Sequence, residues 1–317
     1  MHALVYVIVL NYNGRNHLEY CLPSLLATEY PNYRIVLVDN ASTDGSVEYT
    51  REHFGQIEII QNHRNLSYAG GNNVGIRYAL DQGADYIVLQ NNDTKVDPRW
   101  LAQAVTAAEA NPKVGFVGFK MLQEYIQGED PDGEQFRALM STWDHLEVTP
   151  ARHITGAALF ARAEVFRTVG LFDEASTFYG EEDDLEHRGR RAGYEQVRIN
   201  IPLWHYNGGS SRERSLKFSA LAMRHNIRNM LKNETVDEIW RQLVWLIRFV
   251  CPPHVAFDER IPHFRRLRPS NLVVNNAILA YALVWNVLCL PRTLWARHQA
   301  ERRIAEARKH WAHVPGA

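Results

Sequence analysis

Polar side chains directly follow an apolar run, and the last of them, Asp93, is a carboxylate. Residues 85–93 read Asp-Tyr-Ile-Val-Leu-Gln-Asn-Asn-Asp, which is typical of a buried strand that ends abruptly. In an open parallel sheet, ligands bind beyond the carboxyl ends of the strands. A carboxylate flanked by amides suits a divalent cation that itself holds phosphate oxygens. Asp93 is therefore the first candidate for a metal ligand.

A second carboxylate, Asp39, follows the apolar run 35–38 and stands beside Asn40 and Ser42. At a strand end such a group can accept a hydrogen bond from a base N–H and contact ribose hydroxyls, like the acidic residue of dinucleotide-binding folds. In the alternative interpretation, Ser42 or Thr43 caps the next helix and Asp39 only forms a turn. The glycine-rich run 70–75 would suit phosphate at a helix entrance, although alone it is a weak signal.

Four consecutive carboxylates, Glu181 to Asp184, stand at the predicted start of a helix. The helix dipole alone would favour acidic residues there. A carboxylate held near a bound sugar could instead take the proton from an attacking hydroxyl. Farther along, His205 precedes a segment with two glycines and two serines. A single histidine is more often structural, but this one is well placed to reach a metal or a diphosphate.

Short apolar runs alternate with helical patterns over the first 120 residues. Continuously apolar strands are expected where helices cover both faces of a mostly parallel sheet, so the polar strand ends should line one rim. The predicted strands are Leu4–Leu10, Arg34–Val38, Ile57–Gln61, Tyr86–Leu89 and Val114–Val117. The predicted helices lie near residues 15–27, 44–53, 70–81 and 98–110.

The pattern changes beyond residue 120, where an acidic, turn-rich stretch at 128–133 predicts a loop over the site. The remaining predicted elements are a β-like run at His153–Ala161, a short helix from Ala163, and helices near 182–192, 215–232, 235–250 and 271–308. We expect a catalytic domain over residues 1–214, with a donor half to about 118 and an acceptor half from about 119. A C-terminal helical region should cover 215–317.

The net charge of −1 over 317 residues is unevenly distributed. Residues 205–317 carry 18 Lys and Arg against 8 Asp and Glu, a net +10, whereas residues 1–204 carry 17 against 28, a net −11. The acidic front half argues against a nucleic-acid partner, and the basic rear half suits an anionic surface such as a membrane. Three scattered cysteines, and no leader-like segment before the first strand, are expected of a cytoplasmic protein.

Residues 269–291 contain no charged side chain, a length that a membrane span would permit. Polar side chains interrupt this run and fall on one stripe of a helix, which continues beyond the end of the run. They are Asn271, Asn275, Asn286, Thr293 and Arg297. The pattern allows a helix packed on the protein or on a second subunit, a membrane-surface helix, or a span. We predict peripheral attachment to the cytoplasmic face through residues 271–309, because basic amphipathic helices lie in anionic interfaces.

Taken together, the motifs resemble the family 2 glycosyltransferases on the GT-A fold, and particularly their rhamnosyltransferase-like bacterial members. The similarity spans roughly residues 4–235. It comprises Asn11 to Gly14, Asp39 to Ser46, Asn65 to Asn73, Asn92-Asp93, Gly156 to Ala158, Gly170 to Glu174 and the acidic helix start. Each motif is modest, but their order along the chain is highly specific.

The resemblance implies that Asp39 contacts the pyrimidine of a dTDP- or UDP-sugar donor and that Asp93 binds a Mg²⁺ or Mn²⁺ ion on its diphosphate. It also implies that His205 helps to hold the ion or the diphosphate. Further substrate contacts are expected within the motifs, at Asn11, Asn13, Asn40, Ser42, Asn73, Asn92 and Gly156. The catalytic base of the family is usually the Asp of a Glu-Asp pair that precedes Asp-Leu. That register places Glu182 in the role of base, with Asp183 as the alternative.

We therefore predict an inverting glycosyltransferase that moves a sugar from a nucleotide-diphosphate donor to a hydroxyl of a glycan or lipid-linked acceptor in cell-surface polysaccharide synthesis. A sugar nucleotidylyltransferase shares the alternating architecture, but its glycine-rich Lys/Arg signature is missing at residues 11–14. A non-catalytic protein that binds a nucleotide sugar is a third hypothesis. A homodimer is compatible with each of them.

Overall fold

Nine strands form one mixed sheet in the computed structural model of the protein, which describes residues 2–123, 134–177, 179–206, 216–250 and 272–311. The strands are β1 (Val5–Asn11), β2 (Tyr33–Asp39), β3 (Glu58–Gln61), β4 (Tyr86–Asn91), β5 (Thr94–Val96), β6 (Val114–Gln123), β7 (Val148–Pro150), β8 (Ala158–Arg162) and β9 (Glu195–His205). The helices are α1 (Arg15–Leu26), α2 (Ser46–His53), α3 (Ser67–Asp81), α4 (Trp100–Glu109), α5 (Glu134–Thr142), α6 (Ala163–Val169), α7 (Glu181–Ala192), α8 (Leu216–Asn233), α9 (Val236–Val250), α10 (Leu272–Leu288) and α11 (Leu290–Trp311).

The strand order β3-β2-β1-β4-β8-β6-β9-β5 places the predicted polar strand ends side by side. β1 pairs in parallel with β2 on one side and with β4 on the other. In this register Asn11 is paired with Asp39, and Leu10 is paired with Asn91. β8 runs antiparallel between β4 and β6. The parallel part of the sheet, β3-β2-β1-β4, and the common rim of β1, β2 and β4 are as the sequence predicted. Beyond β4 the sheet is mixed, because only β6 and β9 pair in parallel there and the other pairings are antiparallel.

Helices cover both faces of the sheet, because successive side chains of a strand point to opposite sides. Val7 and Val9 of β1 pack with helices α1 and α4 on one face. Ile8 packs on the other face, in a cluster with residues of α3, α6, α7 and α11. Burial on both faces explains why the strands have continuously apolar sequences.

The glycine-rich run 70–75 lies inside helix α3, which begins at Ser67, so the run does not form the helix entrance that the sequence suggested. A Cβ atom added at Gly71 would lie 2.5 Å from Leu10 Cδ1, and one added at Gly75 would lie 2.5 Å from Ile8 Cγ2. The glycines therefore let α3 pack closely against the sheet.

Several elements differ from the sequence-based prediction. Strands β5, β7 and β9 and helix α5 were not predicted, and only Ala158–Arg162 of the β-like run forms a strand. The predicted helix 271–308 is two helices, α10 and α11, bent by 68° at their junction. Among the described helices, none is by itself long and apolar enough to cross a bilayer, although this bent pair taken together would be.

Some predictions fall on residues that the structure does not describe. These are the loop at 128–133, the Gly-Ser segment after His205, Asn271, and the domain boundary at residue 214. The predicted division near residue 118 falls within strand β6.

Candidate active site

Asn11 connects the ends of three neighbouring strands. Its Nδ2 lies 3.2 Å from Asp39 Oδ1, 3.1 Å from Ser42 Oγ and 3.0 Å from Ser46 Oγ. Its Oδ1 accepts a hydrogen bond of 2.6 Å from Asn92 Nδ2. One amide therefore links the loop after β2 to the loop after β4, across the end of β1.

The loop after β2 is held by its own polar groups. Ser42 N donates to Asp39 Oδ2 over 3.0 Å, and Asn13 N donates to Ser42 Oγ over 2.9 Å. Both Asn13 and Ala41 have positive φ angles, 49° and 65°, a conformation that persists only where surrounding contacts enforce it. The turn at Asp39 is thus observed, whereas neither Ser42 nor Thr43 caps α2, whose N-cap is Gly45 without a side-chain hydrogen bond.

Two predicted substrate contacts, Asn40 and Asn73, are buried and bonded within the protein. Asn40 accepts from Asn62 Nδ2 at 2.9 Å and donates to Ser67 O at 3.0 Å. Asn73 both donates to and accepts from the backbone of Phe172, each at 3.0 Å. Both amides hold the loops around the rim, and their contact with a substrate stays a prediction.

The structure brings together the two predicted metal ligands, Asp93 and His205. Strand β5 follows Asp93 directly and pairs antiparallel with the end of β9, where Thr94 is opposite His205. His205 Nε2 consequently lies 3.2 Å from Asp93 Oδ1. Burial acts to raise the pKa of Asp93, but the hydrogen bond and charge of His205 and the charge of His17 outweigh it and lower that pKa. Asp93 is therefore ionised at neutral pH.

This pair fits a divalent cation by its chemistry. A carboxylate and an imidazole are ligands that such ions accept, and a carboxylate oxygen is the donor that Mg²⁺ and Mn²⁺ prefer. His205 Nδ1 is buried and has no hydrogen-bond partner among the described residues. The contact with Asp93 uses only Nε2, so it leaves the hydrogen-bonding capacity of Nδ1 unsatisfied.

His17 is a rim residue that the sequence analysis did not select. It lies in the first turn of α1, its Nδ1 is 2.7 Å from Tyr20 Oη, and its ring is 5.3 Å from the ring of Tyr206. Burial lowers the pKa of His17, and the negative charge of Asp93 partly opposes this shift. A histidine one turn after a polar strand end was the available sequence signal.

The acidic start of α7 follows two residues with positive φ, Tyr179 at 65° and Gly180 at 93°. Its carboxylates have different surroundings. Asp184 is buried in ion pairs with Arg188 at 2.9 Å and Lys232 at 2.9 Å. Glu181 is also buried, and its Oε1 has no hydrogen-bond partner among the described residues.

Glu182 faces Gly156 of the predicted small-residue segment. A Cβ atom added at Gly156 would lie 3.0 Å from Glu182 Oε1 and 2.8 Å from Tyr68 Oη, which itself donates to Gly156 O over 2.7 Å. The next residue, Ala157, accepts a hydrogen bond of 2.9 Å from Asn91 N at the end of β4. Glu182 therefore lies beside the strand end that carries Asp93.

The environment of Glu182 favours its protonated form. Burial, and next the negative charge of Asp183, raise the pKa of Glu182, while the positive charge of His153 partly opposes them. A carboxylate with a raised pKa is a stronger base once it is ionised.

Asp183 instead belongs to a cluster with His153 and Glu186. His153 Nδ1 lies 3.2 Å from Asp183 Oδ1 and 3.3 Å from Glu186 Oε2. Burial alone would lower the pKa of His153, but the hydrogen bonds to Asp183 and Glu186 raise it to about 10. The three ligand atoms lie close enough to hold a metal ion, within 4.8 Å of one another. A protonated imidazole is not a ligand, however, so the cluster is better described as an ion-paired triad.

The mixed sheet, the rim of strand ends and the acidic helix define a glycosyltransferase of the GT-A class. The sequence profile of glycosyl transferase family 2 matches residues 6–170, and the chain belongs to that family. Among the three hypotheses drawn from the sequence, family membership therefore selects glycosyl transfer.

Similar proteins agree with this assignment. The chain is 26% identical over 275 residues to N-acetylglucosaminyl-diphospho-decaprenol L-rhamnosyltransferase of Mycobacterium tuberculosis, which covers 76% of this chain and 88% of the relative. The fold of this chain is similar to that of mannosyltransferase PcManGT from Pyrobaculum calidifontis in complex with GDP-Man and Mn²⁺, with a TM-score of 0.54 and 16% identity. The match covers 99% of this chain and 89% of the mannosyltransferase chain. The fold is also similar to that of S. aureus TarS 1-349 in complex with UDP-GlcNAc, with a TM-score of 0.56 and 14% identity. The match covers 98% of this chain and 91% of the TarS chain.

Proposed function

We propose that the protein is an inverting glycosyltransferase that transfers a sugar from a dTDP- or UDP-sugar to a hydroxyl of a glycan or lipid-linked acceptor in cell-surface polysaccharide synthesis. The main support is the common rim, where hydrogen bonds connect Asp39, Asn11 and Asn92 next to Asp93, and Glu182 lies beside the same strand end. The name of the M. tuberculosis relative, which includes a diphospho-decaprenol, supports a lipid-linked acceptor.

In this proposal, Glu182 is the general base. Its carboxylate accepts the proton of the acceptor hydroxyl while the hydroxyl oxygen forms a bond to C1 of the donor sugar. The bond between C1 and the diphosphate oxygen breaks at the same time, so that the nucleoside diphosphate leaves with the bonding electrons and C1 is inverted. Glu182 suits this role better than Asp183, because Asp183 is paired with the His153 imidazolium.

Asp93 and His205 would hold a Mg²⁺ or Mn²⁺ ion, and this assignment is also a proposal. When bound, such an ion stabilises the negative charge of the departing diphosphate. The separation of 3.2 Å between the two side chains supports the assignment, as does the Mn²⁺ bound in the PcManGT complex. On the same rim, Asp39 would recognise the pyrimidine of the donor.

A thermal-shift screen of nucleotide sugars, each with and without Mn²⁺ or Mg²⁺, tests the donor and the metal together, because a bound ligand stabilises the folded protein by mass action. We expect a dTDP- or UDP-sugar to raise the melting temperature most when the metal is present. Asp93→Ala should abolish the metal-dependent part of the shift and the transfer, whereas Asp39→Ala should mainly weaken donor binding. Unchanged donor affinity in Asp39→Ala, or near-normal turnover in Asp93→Ala, would contradict the respective role.

A further inference from the structure

Helix α10 directs much of its polar surface inward. A surface helix normally turns its apolar side to the core and its polar side to water. Here Asn275 and Asn286 are buried, and Asn286 Nδ2 donates to Arg224 O over 3.0 Å on the neighbouring helix α8. Thr293, at the start of α11, is also buried and accepts a hydrogen bond of 2.6 Å from Arg228 Nη1. The polar stripe recognised in the sequence therefore holds these helices against α8.

The opposite side of these helices is apolar and exposed. On α10 the exposed fraction reaches 79% at Val273 and 76% at Leu288. Helix α9 exposes Trp240 to 64%, within a stripe of apolar residues spaced four, four and three apart. We call these residues the outer face; they are Val236, Trp240, Val244 and Ile247 of α9, Val273, Tyr281, Val284, Val287 and Leu288 of α10, and Leu294 and Trp295 of α11.

The helices that carry the outer face already have a packed core on their inner sides. Helices α8, α9 and α10 share a packed cluster that includes Ile227 of α8, Leu246 of α9 and Ile278 of α10. The inner sides of the helices are thus already covered, and the outer face is a second apolar surface. Exposed apolar stripes of this kind on neighbouring helices of a folded protein are typical of an interaction site.

We propose that the outer face docks on the anionic surface of a lipid bilayer. Trp240, Tyr281 and Trp295 are rings of the type that concentrates at membrane–water interfaces. The charge of the C-terminal region is complementary to anionic lipid, because residues 205–317 carry a net +10, and Arg302 and Lys309 of α11 are exposed. The same positive charge would repel a second copy of the region, which makes self-association the weaker explanation.

This arrangement refines the prediction made from the sequence. The predicted amphipathic helix would have turned its polar stripe to water, but that stripe is used for packing within the protein. The surface offered to lipid comes from three helices instead of one, and includes helix α9, which the sequence analysis did not select. Docking in this way would hold the enzyme at the membrane that carries a lipid-linked acceptor.

Flotation of the full-length protein with vesicles tests the proposal. The wild type should float with vesicles rich in phosphatidylglycerol at low salt, and less so at high salt or with pure phosphatidylcholine. The triple variant Trp240→Ser, Val284→Ser, Trp295→Ser should reduce the bound fraction roughly tenfold at the same lipid concentration, because apolar side chains drive such binding. Val148→Ser, which changes an exposed apolar residue of β7, is the matched control and should bind like the wild type.

Three other results would overturn the proposal. A wild-type protein that stays unbound at low salt overturns the proposal, as does a triple variant that binds as well as Val148→Ser. If sedimentation shows a wild-type dimer that the triple variant abolishes, without any vesicle binding, the outer face belongs to a second copy. Because the assay contains no donor, its outcome is independent of the proposed transfer reaction.

Discussion

At the scale of single residues, the acidic start of α7 shows how neighbouring carboxylates acquire different roles. Asp184 is neutralised by Arg188 and Lys232, and Asp183 is paired with His153. Within the described part of the chain Glu182 forms no ion pair, and it faces Gly156 beside the rim. One turn of helix thus supplies a structural ion pair, a member of a triad and a carboxylate available for chemistry.

The first prediction separates Glu182 from Asp183. Glu182→Gln keeps the shape of the side chain but removes its basicity, and kcat should fall by roughly 10²–10⁴-fold, the range typical of a general base. Donor affinity, measured by titration calorimetry, should change little. Asp183→Asn is the matched control, and its loss of kcat should be much smaller. If Asp183→Asn is the more damaging change, the base is assigned one residue too early.

The second prediction concerns pH. Glu182 acts as a base only when ionised, and its raised pKa places the acid limb of kcat/KM above the range of an ordinary glutamate. Asp183, Glu181 and Glu186 add negative charge around it, and the His153 imidazolium opposes them. His153→Gln should therefore move the acid limb to still higher pH.

The exposed His145 provides the control, since its carboxylate partners Asp144 and Glu147 lie in a different cluster. His145→Gln should leave the profile of kcat/KM against pH unchanged. An acid limb that stays in place or moves to lower pH in His153→Gln would show that the triad does not act on Glu182.

Much of the rim was predictable from sequence, but its partners were not. Asn11, Asp39 and Asp93 follow apolar runs, and parallel strands bring their ends together. His153 pairs with α7 through a contact between residues 30 positions apart, which no local pattern indicates. The approach of His205 to Asp93 likewise depends on the antiparallel pairing of β5 with β9.

At the scale of elements, the sequence likewise predicted those with a strong local pattern and missed others. The apolar runs predicted strands β1 to β4 and the start of β6. Burial on both faces leaves a strong local signal in β1, β2 and β4, whereas β3 at the sheet edge is only partly buried. Strand β5 has only three residues, and β9 mixes polar with apolar positions, so neither stands out in the sequence. The sequence analysis read residues 271–308 as one helical pattern, although Pro291 stands in the first turn of α11 and marks the bend between α10 and α11.

The third prediction tests the close packing of α3 on the sheet. Gly75→Ala would place a Cβ atom 2.5 Å from Ile8 Cγ2 and 3.0 Å from Val38 Cγ2, both in the core. Overpacking of this kind costs about 1–3 kcal/mol of unfolding free energy. Urea denaturation measures it directly. Gly55→Ala is the control, because the nearest atom to its added Cβ is 3.9 Å away, and its unfolding free energy should not fall.

At the scale of the whole molecule, buried charges join the C-terminal helices to the catalytic sheet. Lys232 of α8 lies 3.0 Å from Asp173 and 2.9 Å from Asp184. Arg228 adds a contact of 2.8 Å to Asp173, and Arg188 pairs with Asp184 within α7. The helical region is therefore tied to the segment that carries the proposed base, and loss of one charge should destabilise both.

The last prediction follows from this network. Asp184→Asn leaves the buried Arg188 without its carboxylate and Lys232 with Asp173 as its remaining partner. Removal of one partner from a buried ion pair typically costs about 3–5 kcal/mol. We expect a loss of that order in the unfolding free energy at pH 7, measured in urea. Glu164→Gln is the control, since its contact with Arg167 is exposed and worth little.

The pH dependence of stability gives an independent check. Burial opposes ionisation of Asp184, but Arg188 and Lys232 prevail and lower its pKa well below the ordinary value. A carboxyl group with a lowered folded-state pKa stabilises fully above its unfolded pKa of about 3.9, and that stability is lost as the pH falls further. The wild type should therefore lose stability more steeply than Asp184→Asn below about pH 4. Parallel slopes for the two proteins would mean that the Asp184 carboxylate contributes nothing to holding α8 against the catalytic sheet.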